Sequence, residues 1–289
     1  GGSFCGGYGT SNNPYLICDA ADLNAVRNDL TAHYKLNNSI DLNHTPYNTT
    51  PGWDPIGDDT FPFKGTFDGN EYTIANLYIN RSSTDYIGLF GYIHEATIKN
   101  IGLENANITG KNNVGGLVGF NYDGNISNSY STGNVTGTGD YVGGLAGRSD
   151  YGTITNTYSH ANVTAGGSDK CRGGLVGHVK SGTINYSYST GNVTPTGGSN
   201  GGGFVGSTVD AVVNTSNYYD NQTSGWITSA IGEGRSTTDM KSKTPNGDIY
   251  TGWDFEIWNF GKSTDYPVLG KSLFCGGDGI STNPYLICN

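Results

Sequence analysis

Short strand-like runs recur through the middle of the chain. NISNSY (125–130), TITNTY (153–158) and TINYSY (183–188) each end in Tyr, and each is followed by GNVT (133–136), ANVT (161–164) or GNVT (191–194). Side chains alternate across a strand, so Val135, Val163 and Val193 point away from their Asn and Thr neighbours and are predicted to be buried. A glycine block precedes these runs: GLFG at 88–91, GGLVG at 115–119, GGLAG at 143–147, GGLVG at 173–177 and GGFVG at 202–206. The central residues Leu89, Leu117, Leu145, Leu175 and Phe204 are 28, 28, 30 and 29 positions apart.

A period of this length predicts a β-solenoid. Each block supplies about three short β-runs separated by Gly, Asn or Asp turns, and no block buries its apolar face alone. Stacked coils pair each strand with its equivalent ~4.8 Å along the axis. Leu117, Leu145 and Leu175 are then expected to form an internal aliphatic column, and Tyr130, Tyr158, Tyr188 and Tyr218 an aromatic one. Paired glycines permit tight corners and close backbone approach.

One helix pattern interrupts the strand signals. In 19–35 (DAADLNAVRNDLTAHYK) Leu23, Val26 and Leu30 share a face, with Asp19 or Asp22 as the N-cap candidate. A helix there is expected to cover the open first edge of the solenoid. LNNSIDLN (36–43), FKGTFDGNEYTIANLYIN (63–80) and 86–91 read as the first coils.

The chain also restarts. FCGGYGTSNNPYLIC (4–18) and FCGGDGISTNPYLIC (274–288) match at twelve of fifteen positions, at an offset of 270. A unit of a tandem array is the leading reading, and a duplicated closing hairpin in one domain is the other. The expected organisation is a hairpin and capping helix over 1–35, the β-helix over 36–223, a C-terminal cap and connector over 224–270 holding Trp226, Trp253 and Trp258, and the start of a second copy over 271–289.

Composition agrees with an all-β chain. Of 289 residues 47 are Gly and 20 Tyr, while only 14% are charged. The net charge of −10, with no run of Lys or Arg, argues against nucleic acid or an anionic membrane surface as a partner. No apolar stretch approaches the ~20 residues of a membrane span. A charged-then-apolar leader is missing too, so an exported protein would be represented here by a processed form or an excised segment.

The GGLVG blocks, with N-x-S-Y and GNVT after them, resemble the GLUG repeats of exported bacterial and archaeal surface proteins. GTSNNPYLICDAADLNAV, LNNSIDLN, FKGTFDGNEYTIANLYI and WDFEIWNF…YPVL resemble the start and end of such domains. The resemblance implies a right-handed parallel β-helix and a place outside the cell. It implies little about activity, because these repeats occur as passive modules in adhesins, surface-layer-like proteins and some immunoglobulin-cleaving metalloproteases. The His-Glu-x-x-His zinc motif of the proteases is absent: His94-Glu95 runs on into Ala96, Thr97 and Ile98.

Cys5 and Cys18 flank one end repeat, and Cys275 and Cys288 flank the other. Identical spacing suggests that each pair closes its own loop, which would stabilise by roughly 3 kcal/mol in the loop-entropy model and imply an oxidising setting. A zinc site is the rival reading, without CxxC spacing or a His partner. Cys171 is left over as a buried thiol or an intermolecular disulfide, and exchange of partners between units also fits the odd count. Asn-x-Ser/Thr sequons occur at Asn37, Asn43, Asn48, Asn80, Asn107, Asn125, Asn134, Asn162, Asn185, Asn192, Asn214 and Asn221. Asn107, Asn134, Asn162 and Asn192 share one block position, where ~4.8 Å spacing crowds glycans and predicts partial occupancy or an amide ladder instead. Asn43, Asn48, Asn80 and Asn221 are easier to occupy.

Catalysis finds no convincing grouping. Asp123 and Asp150 read as equivalent turn residues. Asp54, Asp58 and Asp59 form the densest acidic group, a solvated loop or a calcium site. His33, His44, His94, His160 and His178 are scattered, and no phosphate loop follows the glycines. The expectation is a non-enzymatic extracellular protein with no cofactor and no metal. Tandem, glycosylated, disulfide-closed units would self-associate into a filament, sheath or surface layer. The alternative is an adhesin stalk or carbohydrate-binding module that stacks sugars on Tyr and Trp. A polysaccharide-active enzyme is the third reading.

Overall fold

The structure is a computed structural model that describes residues 4–166, 171–194, 201–242, 249–261 and 264–270, together with the backbone of Phe274–Gly276 and Leu286–Ile287. The chain is a nearly all-β parallel solenoid of about six turns with two short helices, Ala20–Ala25 and Thr237–Lys241.

Five parallel ladders, rather than three runs per block, line the solenoid. One stacks Phe90–His94, Val118–Tyr122 and Ala146–Asp150, and continues through the first legs of Val176–Asn185 and Val205–Thr215. The second starts with Tyr15–Ile17 and His33–Leu36 and runs to Val213–Thr215. The third carries the Tyr column, and the fourth carries the Asn-Val-Thr segments. The fifth joins the two-residue strands Val114–Gly115, Val142–Gly143, Arg172–Gly173 and Gly201–Gly202. Extra runs arise because one block turns several corners, many of them at single non-glycine residues in the left-handed region.

Register turns the sequence period into columns. Tyr34, Phe67, Ile98, Ile126, Ile154 and Ile184 form one buried stack. Leu89, Leu117, Leu145, Leu175 and Phe204 are also buried, as are Val135, Val163 and Val193. On the third ladder the inward column changes from Ile40, Ile74 and Leu103 to Ser131, Ser159 and Ser189. The glycine blocks explain that change. A Cβ on Gly144 would lie 2.1 Å from Ser159 Oγ and one on Gly174 2.8 Å from Ser189 Oγ. Ser131 Oγ donates to the Gly144 carbonyl at 2.7 Å, so small residues meet where the wall comes closest to itself.

The corner between the second and third ladders is built from Asn70, Asn100, Asn128 and Asn156, with φ of 52°, 54°, 47° and 52°. Asn tolerates this left-handed conformation better than most side chains. The stacked amides also bond: Asn128 Nδ2 donates to Asn100 Oδ1 at 3.1 Å, and Asn156 Nδ2 to Asn128 Oδ1 at 3.3 Å.

At the N-terminal end the helix is shorter than its pattern. Asp19 is the N-cap and accepts from the Asp22 amide, whose carboxylate in turn accepts from the Cys18 amide. The α-turns end at Ala25, a 3₁₀ turn carries Val26–Asn28, and His33–Leu36 is a strand paired with Tyr15–Ile17. Pairing with an existing parallel edge overrides the helical periodicity of 29–35. Leu23 and Val26 still enter the core, while Leu30 is only partly buried.

The segment after 240 does not close the end of the solenoid. It lies along the flank as a strap over the Tyr column. Tyr130, Tyr158 and Tyr188 stack at centroid spacings of 4.7 and 5.2 Å, with interplanar angles of 2° and 10°. Met240, Tyr250, Trp253, Trp258 and Phe260 cover them in a second core. Tyr188 Oη donates to the Pro267 carbonyl, and Trp258 Nε1 reaches Asn156 Oδ1 from 102 positions away. The Tyr column is therefore exterior to the coil and buried only by the strap.

Candidate functional surfaces

The first surface is the disulfide-closed hairpin. Cys5 and Cys18 are bonded, and Gly6 pairs antiparallel with Leu16. Both sulfurs lie near Asp22, but neither remains a thiolate able to hold a metal. The restart has the same backbone form. Phe274–Gly276 pairs antiparallel with Leu286–Ile287, placing Gly276 opposite Leu286, the Gly6–Leu16 register shifted by 270. The Cys275–Cys288 pairing lies outside the residues whose side chains are described. Cys171 is buried at the start of a fifth-ladder strand, and its carbonyl accepts from Val142. Beside it Arg172 is fully buried, with its guanidinium 5.3 Å from the Trp226 ring centre.

Among the sequons, Asn37, Asn43, Asn48, Asn80, Asn107, Asn125, Asn134, Asn162, Asn192 and Asn214 are exposed. Asn185 and Asn221 are half-buried. The shared block position carries an amide ladder in part: Asn162 Nδ2 donates to Asn134 Oδ1 at 3.1 Å, and the Asn192 amide donates to Asn162 Oδ1.

The second surface is the outer face of the first ladder. Tyr92, Phe120, Arg148, His178 and Ser207 form one outward column, and His94, Tyr122, Asp150, Lys180 and Val209 the next. Rings meet edge-on, Tyr92 with Phe120 at 4.7 Å and Tyr122 with Tyr151 at 5.7 Å. The Arg148 guanidinium sits 4.9 Å from the Phe120 ring and donates two bonds to Asp150, which raise its pKa against the opposing effect of burial. His178 is held below the ordinary imidazole range by burial first and by the Arg148 charge next. Asp150 does not occupy the turn position of Asp123. The residue opposite Asp123 in the next coil is Tyr151, and both are left-handed. A one-residue offset between YDG (122–124) and SDYG (149–152) hides this, because one residue, Tyr151, separates Asp150 from its glycine whereas Asp123 adjoins its own.

A third feature is a half-open cleft of ≈ 120 Å³ between the solenoid and the strap, lined by Glu71, Asn100, Asn128, Tyr130, Glu256 and Leu269, among others. Tyr130 Oη donates to Glu104 at 2.7 Å on its margin. The acidic loop is internally satisfied. Asp54 pairs with Arg27 and Arg81, each at 3.2 Å, and Asp58 accepts from the amides of Thr60 and Phe61. Sequence reasoning missed the outward array. Its signal was present as Tyr92, Phe120, Arg148 and His178, each three residues after the Leu of its glycine block, but the outer side of that strand was not marked by alternation alone.

No described helix is long and apolar enough to cross a membrane. Residues 110–136 match the family described as the GLUG motif. The chain is 42% identical over 141 residues to halomucin of Haloquadratum walsbyi, an alignment covering 45% of this chain and 2% of halomucin. It is 45% identical over 125 residues to a "putative Gly-rich membrane protein" of Evansella cellulosilytica, covering 41% of this chain and 14% of that protein. The chain thus spans a small part of the length of either relative. A crystal structure from Bacteroides ovatus, described as a "putative immunoglobulin A1 protease", superposes with a TM-score of 0.67 over 92% of this chain and 95% of that one, at 23% identity. That likeness concerns the fold. Residues 110–136 thus carry the GLUG motif, within a β-solenoid whose five equivalent glycine blocks stack in register from coil to coil.

Proposed function

We propose that the chain is a non-enzymatic structural unit of an extracellular, cell-surface assembly in which such solenoids follow one another in tandem. The observation that carries this reading is the restart: a second hairpin with the register of the first begins 270 residues later. The two relatives support a surface setting, since one is described as a membrane protein and both are far longer than this chain. The Cys5–Cys18 bond suits an oxidising compartment, and the exposed sequons would carry N-glycans on coil edges. Exchange of disulfide partners through the end loops would supply cross-links between units, in a filament, sheath or surface layer.

Electron microscopy of a chain of several consecutive units, non-reduced and then reduced, tests the reading. Ordered rods or sheets repeating at one unit length are expected, loosening on reduction. Separate, randomly oriented particles would overturn it. The outward array favours one second reading, a carbohydrate-binding adhesin module, in which the half-buried Tyr92 and Tyr122 rings stack on sugars beside the Arg148 guanidinium that the buried Asp150 carboxylate holds. Saturable binding on a glycan screen, abolished by Tyr122→Ala, would select it.

A further inference from the structure

The two ends of the solenoid are finished differently. At the N-terminal end the outer edge of Tyr15–Ile17 is occupied by the disulfide-closed hairpin, where Leu16 donates to the Gly6 carbonyl and accepts from Cys5. At the C-terminal end the last partial coil covers only some ladders. Ser224 and Trp226 pair under the fourth, Thr228 under the fifth, and Glu233–Arg235 under the third. Ala230 closes onto Val205, and Ile231 joins the core. The chain then takes a short cut past Phe204, against which a side chain at Gly232 would collide at 2.8 Å. That chord seals the interior but bypasses Val205–Thr215. This strand pairs with Val176–Asn185 on one side, and beyond Val205 no strand pairs with its other side among the described residues.

The bypassed strand also differs in composition from every coil above it. The outward position that holds His94, Tyr122, Asp150 and Lys180 holds Val209 here. The outward position that holds Thr97, Asn125, Thr153 and Thr183 holds Val213. Both valines are exposed, at 49% and 58%, and Ile227 on the same coil is 87% exposed. An unpaired edge with apolar residues substituted for polar ones is a template for strand addition.

The shape of the edge selects its partner. Asp210, with φ of 63°, bends the strand between two legs. A straight peptide would pair with one leg only, whereas another copy of the same strand carries the same bend. Val209 and Val213 each stand two residues from Ala211. A twofold axis at Ala211 therefore runs the two bent strands antiparallel and sets Val209 against Val213 of the other copy, twice. A head-to-tail contact lacks this match, because the N-terminal edge is already paired.

We propose that Val205–Thr215 is a self-association edge, by which the C-terminal ends of two copies join through an isologous, antiparallel strand pair. The two Asp210 residues flank the axis as diagonal neighbours, each opposite Val212 of the other copy, with Lys180 on the neighbouring strand close to each. Tandem chains would thereby be tied to one another laterally at each unit. The proposal rests on the structural reading only in taking another copy as partner, and its test uses a single unit, so its failure leaves the tandem-unit test standing.

Analytical ultracentrifugation of the 289-residue chain over a wide concentration range is the experiment. A monomer–dimer equilibrium is expected, weakened about tenfold or more by Val209→Lys and by Val213→Lys, each checked for an unchanged β-sheet circular dichroism spectrum. Asp210→Asn keeps a residue that tolerates the left-handed bend, removes the two like charges that flank the axis and is expected to tighten the dimer. A monomer at all concentrations would overturn the proposal, as would a dimer that both lysine variants leave intact.

Discussion

His160 stands where equivalent positions of the neighbouring coils hold Thr132 and Thr190, between the Tyr column and the strap. It sits among Tyr158, Tyr188 and Tyr266, with Nδ1 against Thr190 and Nε2 3.3 Å from Tyr188 Oη. Burial, with the Lys241 charge adding, pushes its pKa down to about 4. The folded state therefore holds a neutral ring where the unfolded state protonates near pH 6.5. Stability from this group is fully present above pH 6.5 and is lost as pH falls towards 4, by at most ~3 kcal/mol. Urea unfolding between pH 7 and 4 should show this loss, and His160→Gln should flatten it. The wall glycines act through sterics: a Cβ on Gly143 would meet the Ala146 carbonyl at 2.0 Å. Gly143→Ala is expected to destabilise by ~1–3 kcal/mol, read as a lower urea midpoint with unchanged slope.

At the scale of elements, the asparagine corner links neighbouring coils through side chains as well as backbone. Asn128 donates to Asn100 and accepts from Asn156 while holding a left-handed φ. Asn128→Ala removes two amide bonds and places a residue without a local hydrogen-bonding side chain in that conformation. A loss of ~1–3 kcal/mol is expected, measured by denaturant unfolding, with Asn128→Asp intermediate. The N-terminal element makes the opposite point. Leu23, Val26 and Leu30 describe a helical face through residue 30, yet Tyr34 bonds back to the Asp29 carbonyl at 2.6 Å and lies in a strand. Periodicity located the element, while its end was decided by the Tyr15–Ile17 edge waiting to be paired.

At the scale of the molecule, two cores share one wall. The interior core runs the length of the solenoid, and the exterior core exists only because the strap returns over the Tyr column. Trp258 is the pivot of the exterior core, fully buried and 4.5 Å from Trp253. Trp258→Ala should cost ~3–5 kcal/mol if strap and solenoid unfold together, and unfolding followed at once by tyrosine fluorescence and circular dichroism would give coincident curves. Asp220 reinforces the junction. Burial pushes its carboxyl up, but bonds from Thr237, Tyr266 and the Gln222 and Thr223 amides outweigh this and hold it below the usual range.

Repetition made the interior legible in sequence. A position that recurs every 28–30 residues must stack on its equivalents once coils form, so the Leu blocks and the Asn-Val-Thr valines announced their burial without any knowledge of the corners. The restart at residue 274 was legible for the same reason. What lies outside a coil was not fixed by its period. Whether Tyr158 faces solvent or a strap depends on where a non-repeating segment folds back, and whether Val209 is covered depends on the path of residues 230–232. Those are contacts between parts far apart along the chain, settled by which surfaces remain after the solenoid has formed.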